Sequence, residues 1–271
     1  MTAILVAFFF LLLGICWGSL LNWLAGSVSE EGELHLKAPF CRQCGVKRPL
    51  KYTLPLLGYF LTKGRCPGCR EAVPVRIPIV EFVTGVLFAL LYLKYGLSWE
   101  LCILLVYASI LIVLFVTDIE HFILPNIVNY PGMIVAAAIS LVVMLVHYRL
   151  PWAPFFAGSG FMMVFNNYLL SAVAGGLVGA LLLFLVVILS RGGMGMGDVV
   201  LAGLLGLMVG FPLVFIALFV GIVAGGLVAA VLLITRRKGR KDMLPFGPFL
   251  CVGGLVTLLW GRQLLVWYLS A

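Results

Sequence analysis

Hydrophobic residues in this chain are grouped into eight long runs separated by short polar segments. Most runs approach the ~20 residues that an α-helix needs to cross a bilayer. We therefore predict transmembrane helices over residues 4–24, 77–95, 101–117, 127–147, 165–190, 198–209, 213–235 and 249–268. The sixth run is short, and Gly210-Phe211-Pro212 predicts a tight turn into the seventh. The pattern predicts an all-α polytopic membrane protein with about eight transmembrane helices.

One polar segment interrupts this pattern and divides the chain into three parts. Residues 1–25 form the predicted first transmembrane helix, residues 26–76 a cytoplasmic insert, and residues 77–271 a core of seven membrane helices. The composition agrees, since 63% hydrophobic residues and a mean hydropathy of +1.20 exclude an ordinary soluble domain. The net charge of +8 does not indicate nucleic-acid binding, because the basic residues lie in loops and form no single face.

The basic residues predict the orientation of the chain. With the N-terminus outside, fifteen of the eighteen Lys and Arg residues fall in loops on the cytoplasmic side, including nine in the insert. Cytoplasmic loops of membrane proteins carry this excess of positive charge. Asp118 and Asp198 are separated by two predicted spans, so both are expected at the same, cytoplasmic side.

These two aspartates are candidates for a catalytic pair. Each lies at or just inside a predicted membrane boundary, where ionisable groups are costly and usually functional. Neighbouring carboxyl groups resist a second charge and can share one proton, so that one activates water while the other polarises a peptide carbonyl. Taken singly, Asp198 could instead be a helix N-cap, and Asp118 a helix-end acid beside Glu120 and His121. A proton relay in a small transporter could use the same two acids.

Four of the seven cysteines form two Cys-x-x-Cys pairs, Cys41/Cys44 and Cys66/Cys69, with twenty-one residues between the pairs. This spacing suits a tetrahedral zinc site, and stable disulfides are rare in the cytosol. A metal would also stabilise an insert too small to bury much of a core. We predict one structural zinc per chain; redox dithiols or reduced thiols are the alternatives.

Five short segments bear motifs that follow one another along the chain. They are Gly18-Ser-Leu-Leu-Asn22, Arg76-Ile-Pro-Ile-Val-Glu81, Asp118-Ile-Glu-His-Phe-Ile-Leu-Pro-Asn126, Gly195-Met-Gly-Asp198 and Leu244-Pro-Phe-Gly-Pro-Phe249. The fourth resembles the G-x-G-D motif of intramembrane aspartic proteases, and the set as a whole resembles the type IV prepilin peptidases. By this resemblance Asp118 and Asp198 are the catalytic pair. The same resemblance assigns supporting positions to Gly195, Gly197, Pro125, Asn126, Pro245, Gly247 and Glu81.

The resemblance also implies an activity and a location. Such enzymes remove the leader peptide of prepilins or pseudopilins at the cytoplasmic face of a prokaryotic inner membrane. Those with a tetracysteine insert then N-methylate the new terminus with S-adenosylmethionine, and they serve pilus or type II secretion machinery. Glu81 would contact the substrate amine or the methyl donor, or it is a boundary acid paired with Arg76. The chain departs from the family where Val200 replaces a frequent Lys. A transporter, and a membrane scaffold that binds a partner through its zinc knuckle, are the other interpretations.

Overall fold

The computed structural model describes residues 2–28, 44, 55–66, 68–149, 168–189, 195–235 and 245–270. Within these ranges the regular elements are helices, apart from an isolated antiparallel bridge between Arg65 and Ala72. The helices are α1 (Thr2–Gly26), α2 (Leu57–Leu61), α3 (Arg76–Tyr95), α4 (Trp99–His121), α5 (Asn126–Arg149), α6 (Tyr168–Leu189), α7 (Met196–Val209), α8 (Leu213–Ile234) and α9 (Gly247–Ser270).

Every predicted membrane span corresponds to one of these helices, with ends that differ by at most four residues. By length and composition, seven of the described helices could cross a membrane: α1, α3, α4, α5, α6, α8 and α9. The eighth, α7, has 14 residues. At 1.5 Å per residue it is about 21 Å long, which is less than the ~30 Å of a bilayer's hydrocarbon core.

The chain forms two compact units, Met1–Val116 and Thr117–Ala271, and the division falls inside α4. In the first unit α1 packs against α3 with their backbones close together. The position a Cβ would take on Gly14 is only 2.8 Å from the Cα of Gly85, and that on Gly18 is 2.8 Å from the Cα of Glu81. Small residues permit this approach. The three-part division drawn from the sequence remains a prediction.

In the second unit the short helix α7 is enclosed by its neighbours. It packs against α5, α6, α8 and α9, and most of its residues are buried. A helix that is hydrophobic on every side requires such surroundings. The tightest approach joins α7 to α6, where Gly206 lies against the backbone of Gly175. These contacts fix where α7 begins, and therefore where the acid in its first turn lies.

Candidate active site

Asp198 lies in the first turn of α7, three residues after the N-cap residue Gly195. The Asp198 backbone N–H donates to the Gly195 carbonyl at 3.2 Å, and the Asp198 carboxylate accepts a hydrogen bond from the Gly195 backbone N–H. This return bond is the one that an acid at the third position of a capping box makes. The alternative that Asp198 is itself the N-cap is therefore wrong, because the helix starts two residues earlier than expected. The carboxylate is anchored, and the residue is only 8% exposed.

Asp118 lies in the last turn of α4 and is 5% exposed. Helix α4 ends where Phe122 adopts a left-handed conformation with φ of 55° and donates its backbone N–H to the Asp118 carbonyl at 2.9 Å. A single bond of this kind is a common helix C-terminus. The Asp118 carboxylate accepts a hydrogen bond from the backbone N–H of Gly247, the first residue of α9. Its Oδ2 atom has no hydrogen-bond partner among the described residues.

The two acids, eighty positions apart in sequence, are brought together in one unit. Asp118 lies close enough to Asp198 to act on its carboxyl group electrostatically. Leu124, in the turn between α4 and α5, packs against a glycine next to each acid. Its side chain is 3.2 Å from where a Cβ would stand on Gly197, and 3.1 Å from the corresponding point on Gly247. The glycines thus leave space for Leu124 and for the carboxylates.

Other motif residues lie at the edges of this site. Pro125 is buried, and its carbonyl accepts the backbone N–H groups of Val128 and Asn129 at 3.0 and 3.1 Å, which starts α5. Asn126 is exposed at the first position of that helix. Pro245 lies two residues before α9. These residues shape the backbone that carries the acids.

The register between helices gives the depth of the site. In the antiparallel pair α6 and α7, Gly175 lies against Gly206, and Gly179 lies against Ala202. Continued along both helices, this register places Asp198 level with Leu183. Helix α6 runs six residues further, to Leu189, which is about 9 Å of helix.

Helix α8 extends past the site in the same way. Gly225 of α8 lies against Phe246, the residue before α9 begins. Nine more residues of α8 follow, to Ile234, or about 14 Å of helix. The carboxyl groups are therefore recessed below the ends of two long apolar helices.

Glu81 belongs to the first unit, where it is 4% exposed. Its Oε2 accepts the backbone N–H of Leu56 at 2.7 Å, and Ser19 of α1 forms a second hydrogen bond to the carboxylate. Nearby, Asn22 donates its Nδ2 to the carbonyl of Ile77 at 3.0 Å. The two early motifs thus meet each other, and Glu81 joins α1 and α3 to the end of the polar insert.

Three of the four motif cysteines converge. The Sγ atoms of Cys44, Cys66 and Cys69 all lie within 4.8 Å of one another, and those of Cys44 and Cys66 are 3.9 Å apart. Cys41 lies outside the described residues. The turn that carries Cys66 and Cys69 is closed by two backbone bonds, from Cys66 N–H to Glu71 at 2.8 Å and from Arg70 N–H to Cys66 at 2.9 Å. A thiol cluster of this kind can hold a metal ion.

Sequence reasoning passed over two residues near the aspartates. Cys251 is fully buried and close enough to Asp118 and Asp198 for both to act on it electrostatically. Asn129 is also fully buried. The feature of the sequence that could have drawn attention to Asn129 is its position one turn after Asn126, as a second Asn in an otherwise apolar segment.

Comparison with known proteins shows which family the chain belongs to. Residues 12–95 match the bacterial peptidase A24 N-terminal domain, and residues 105–230 match the type IV leader peptidase family. A prepilin leader peptidase/N-methyltransferase of Pseudomonas putida is 31% identical over 240 residues, which cover 87% of this chain and 76% of the relative. The chain belongs to the type IV leader peptidase family. A relative with the same description from Bacillus subtilis (strain 168) is 29% identical over 86% of this chain and 84% of its own length.

No solved structure matches the chain. Membership of the leader peptidase family favours neither the transporter nor the scaffold interpretation, since the matched relatives share a description that names a peptidase and a methyltransferase. Within this family the buried pair of aspartates is the natural candidate for the proteolytic centre.

Proposed function

We propose that this chain is a membrane aspartic endopeptidase that removes the leader peptide of type IV prepilins or pseudopilins. It then N-methylates the new N-terminus with S-adenosylmethionine. The observation that carries the proposal is the burial of Asp118 beside Asp198, each held by a glycine backbone N–H. The descriptions of its relatives name both activities.

The aspartate pair suits hydrolysis of a peptide bond. One ionised carboxylate takes a proton from water while the protonated partner donates a hydrogen bond to the scissile carbonyl. The water oxygen bonds to the carbonyl carbon, and the resulting intermediate then loses its C–N bond as a proton passes to the leaving amine. The Gly195 and Gly247 N–H groups orient the two carboxylates throughout.

The location follows from charge and hydrophobicity. We place the protein in a prokaryotic inner membrane with its N-terminus outside and the aspartate pair opening to the cytoplasm, because most basic residues fall in loops on that side. An apolar prepilin helix can lie in the bilayer while its leader stays in the cytosol. The pilus or type II secretion machinery is the partner that would receive the product.

The nucleophile for the methylation step is the N-terminal amine of the cleaved substrate. S-adenosylmethionine, when bound, would supply the methyl group: an N–C bond would form as the S–C bond breaks, S-adenosylhomocysteine would leave and the amine would lose a proton. Glu81 remains a proposed contact for the amine or the methyl donor. Its bonds to Leu56 and Ser19 support a further role, which is to hold the polar insert against α1 and α3.

The insert is proposed to bind one structural zinc through Cys41, Cys44, Cys66 and Cys69. The thiols fit this ion, since Zn–S bonds of ~2.3 Å place the sulfurs of a tetrahedral site about 3.8 Å apart. The Cys44–Cys66 separation of 3.9 Å is close to this value. Four thiolates would fill the coordination sphere, so this zinc would stabilise the insert and not activate water.

The proposal is tested by incubating the purified protein in lipid with a prepilin that carries its leader. The product's N-terminal mass is recorded with and without S-adenosylmethionine. We expect loss of the leader in both reactions, and a product heavier by one methyl group only when the methyl donor is present. An intact prepilin with well-folded protein would contradict the proposal, and several prepilins should be compared before that conclusion.

A further inference from the structure

Asn129 of α5 is a buried polar residue without a visible purpose in the fold. It is 0% exposed, and neither its Nδ2 nor its Oδ1 has a hydrogen-bond partner in the part of the chain that the structure describes. An amide buried without partners destabilises a folded protein. Its presence inside an apolar helix therefore leaves an amide that a bound substrate could pair, since none of the described residues does so.

The packing of α5 places Asn129 next to the aspartate pair. Leu124 lies against Gly197, and Met133 lies 3.6 Å from where a Cβ would stand on Gly203, so α5 and α7 run parallel. Counted back four residues along both helices from the Met133–Gly203 contact, Asn129 lies level with Val199. Val199 is the residue that follows Asp198.

The buried face of α5 is the face that carries Asn129. Residues Pro125, Asn129, Gly132 and Ala136 are all buried and recur at intervals of three and four, which puts them on one side of the helix. In the second unit α5 packs against α6 and α7. Asn129 therefore lies on the side of α5 that faces the helix of Asp198, within the apolar interior.

The chemistry of this side chain matches the substrate of the aspartate pair. An Asn amide donates through Nδ2 and accepts through Oδ1, so it complements the C=O and N–H groups of a peptide backbone. A hydrogen bond formed in an apolar interior is stronger than the same bond in water. Asp118 and Asp198 are themselves nearly fully buried, so a substrate that reaches them must displace the same packing, including Leu124.

We propose that Asn129 is a further substrate-contacting residue, whose side-chain amide hydrogen-bonds the backbone of the peptide held at Asp118 and Asp198. This inference rests on the proposed peptidase function. The contact is made to main-chain atoms within a few residues of the scissile bond and is independent of the substrate's side chains. It pairs an amide that has no partner among the described residues with the main chain of the bound peptide.

The test compares Asn129→Leu with wild type in prepilin cleavage and in thermal unfolding. Leucine removes the unpaired amide at similar volume, so we expect an unfolding midpoint equal to or above that of wild type. We expect kcat/KM to fall about tenfold, as for loss of one hydrogen bond to the substrate backbone. Should leucine prevent folding, Asn129→Ala carries the kinetic comparison. Ser140→Ala is the matched control. Ser140 lies eleven residues after Asn129 on α5, and its hydroxyl donates to the Ala136 carbonyl of the same helix at 2.9 Å.

A second measurement separates contact from distortion. Prepilins are prepared in which one backbone N–H near the scissile bond is replaced by an ester oxygen, one position at a time. If Asn129 accepts that N–H, the ester slows wild type but not Asn129→Leu, so the two changes are not additive. Wild-type rates in folded Asn129 variants, or equal losses with every ester substrate, would overturn the inference. A wild type that leaves prepilin intact would contradict the peptidase function itself.

Discussion

Gly247 is the residue whose replacement should disturb the aspartate pair most directly. Its N–H bonds to the Asp118 carboxylate, and a Cβ on it would stand 2.6 Å from Oδ2 of that acid and 3.1 Å from Leu124. Gly247→Ala must therefore push the carboxylate away or shift the start of α9. We expect kcat/KM for prepilin cleavage to fall at least about tenfold, because displaced catalytic groups lose the geometry of attack.

Gly226→Ala is the control for this change. Gly226 lies in α8 of the same unit, and a Cβ there would meet nothing within 4 Å. We expect this variant to cleave prepilin at the wild-type rate, with stability unchanged or slightly raised by the better helix propensity of Ala. A folded Gly247→Ala enzyme as active as Gly226→Ala would show that the close approach to Asp118 is unimportant.

At the scale of elements, the contact between α6 and α7 sets the position of the short helix. A Cβ on Gly206 would overlap the backbone of Gly175, which no rotamer change can relieve. Gly206→Ala should lower the free energy of unfolding by about 1–3 kcal/mol, as overpacking of an interior does. Thermal unfolding measured beside Gly226→Ala tests this, and an unchanged midpoint would mean that α6 and α7 do not pack as described.

The elements also show what the sequence could predict and what it could not. Hydropathy located every described membrane helix to within four residues, because burial in lipid demands long apolar runs. From the G-x-G-D motif and the two spans predicted between them, we expected Asp118 and Asp198 to lie at the same side of the membrane. The distance of Asp198 from the end of α6 could not be predicted. It depends on the register of α7 against α6, which the Gly175–Gly206 contact sets.

Asn129 shows a second limit of the sequence. A single Asn in an apolar run fits an exposed, a bonded or an unpartnered side chain equally well. Only the packing of α5 reveals that its amide is buried without a partner among the described residues. The convergence of Cys44, Cys66 and Cys69 was easier to predict, because the spacing of the cysteines already constrains the chemistry.

For the whole molecule, the polar insert should depend on its metal. Metal analysis of the purified protein is expected to give one zinc per chain, and Cys66→Ser should reduce it well below one, because Cys66 is the buried member of the cluster. Cys102→Ser, outside the cluster, should leave the zinc content unchanged. Wild-type protein with well under one zinc and four free thiols would contradict the metal site.

The most direct test of the central claim compares wild type with Asp118→Asn and Asp198→Asn in lipid, each with the same prepilin. Asparagine keeps the shape of each side chain but can neither take a proton from water nor share one with its partner. We expect both variants to unfold at temperatures close to that of wild type and to release no leader peptide. Cleavage at a wild-type rate by either variant would contradict the central claim, since the remaining carboxyl group alone would then be sufficient for hydrolysis.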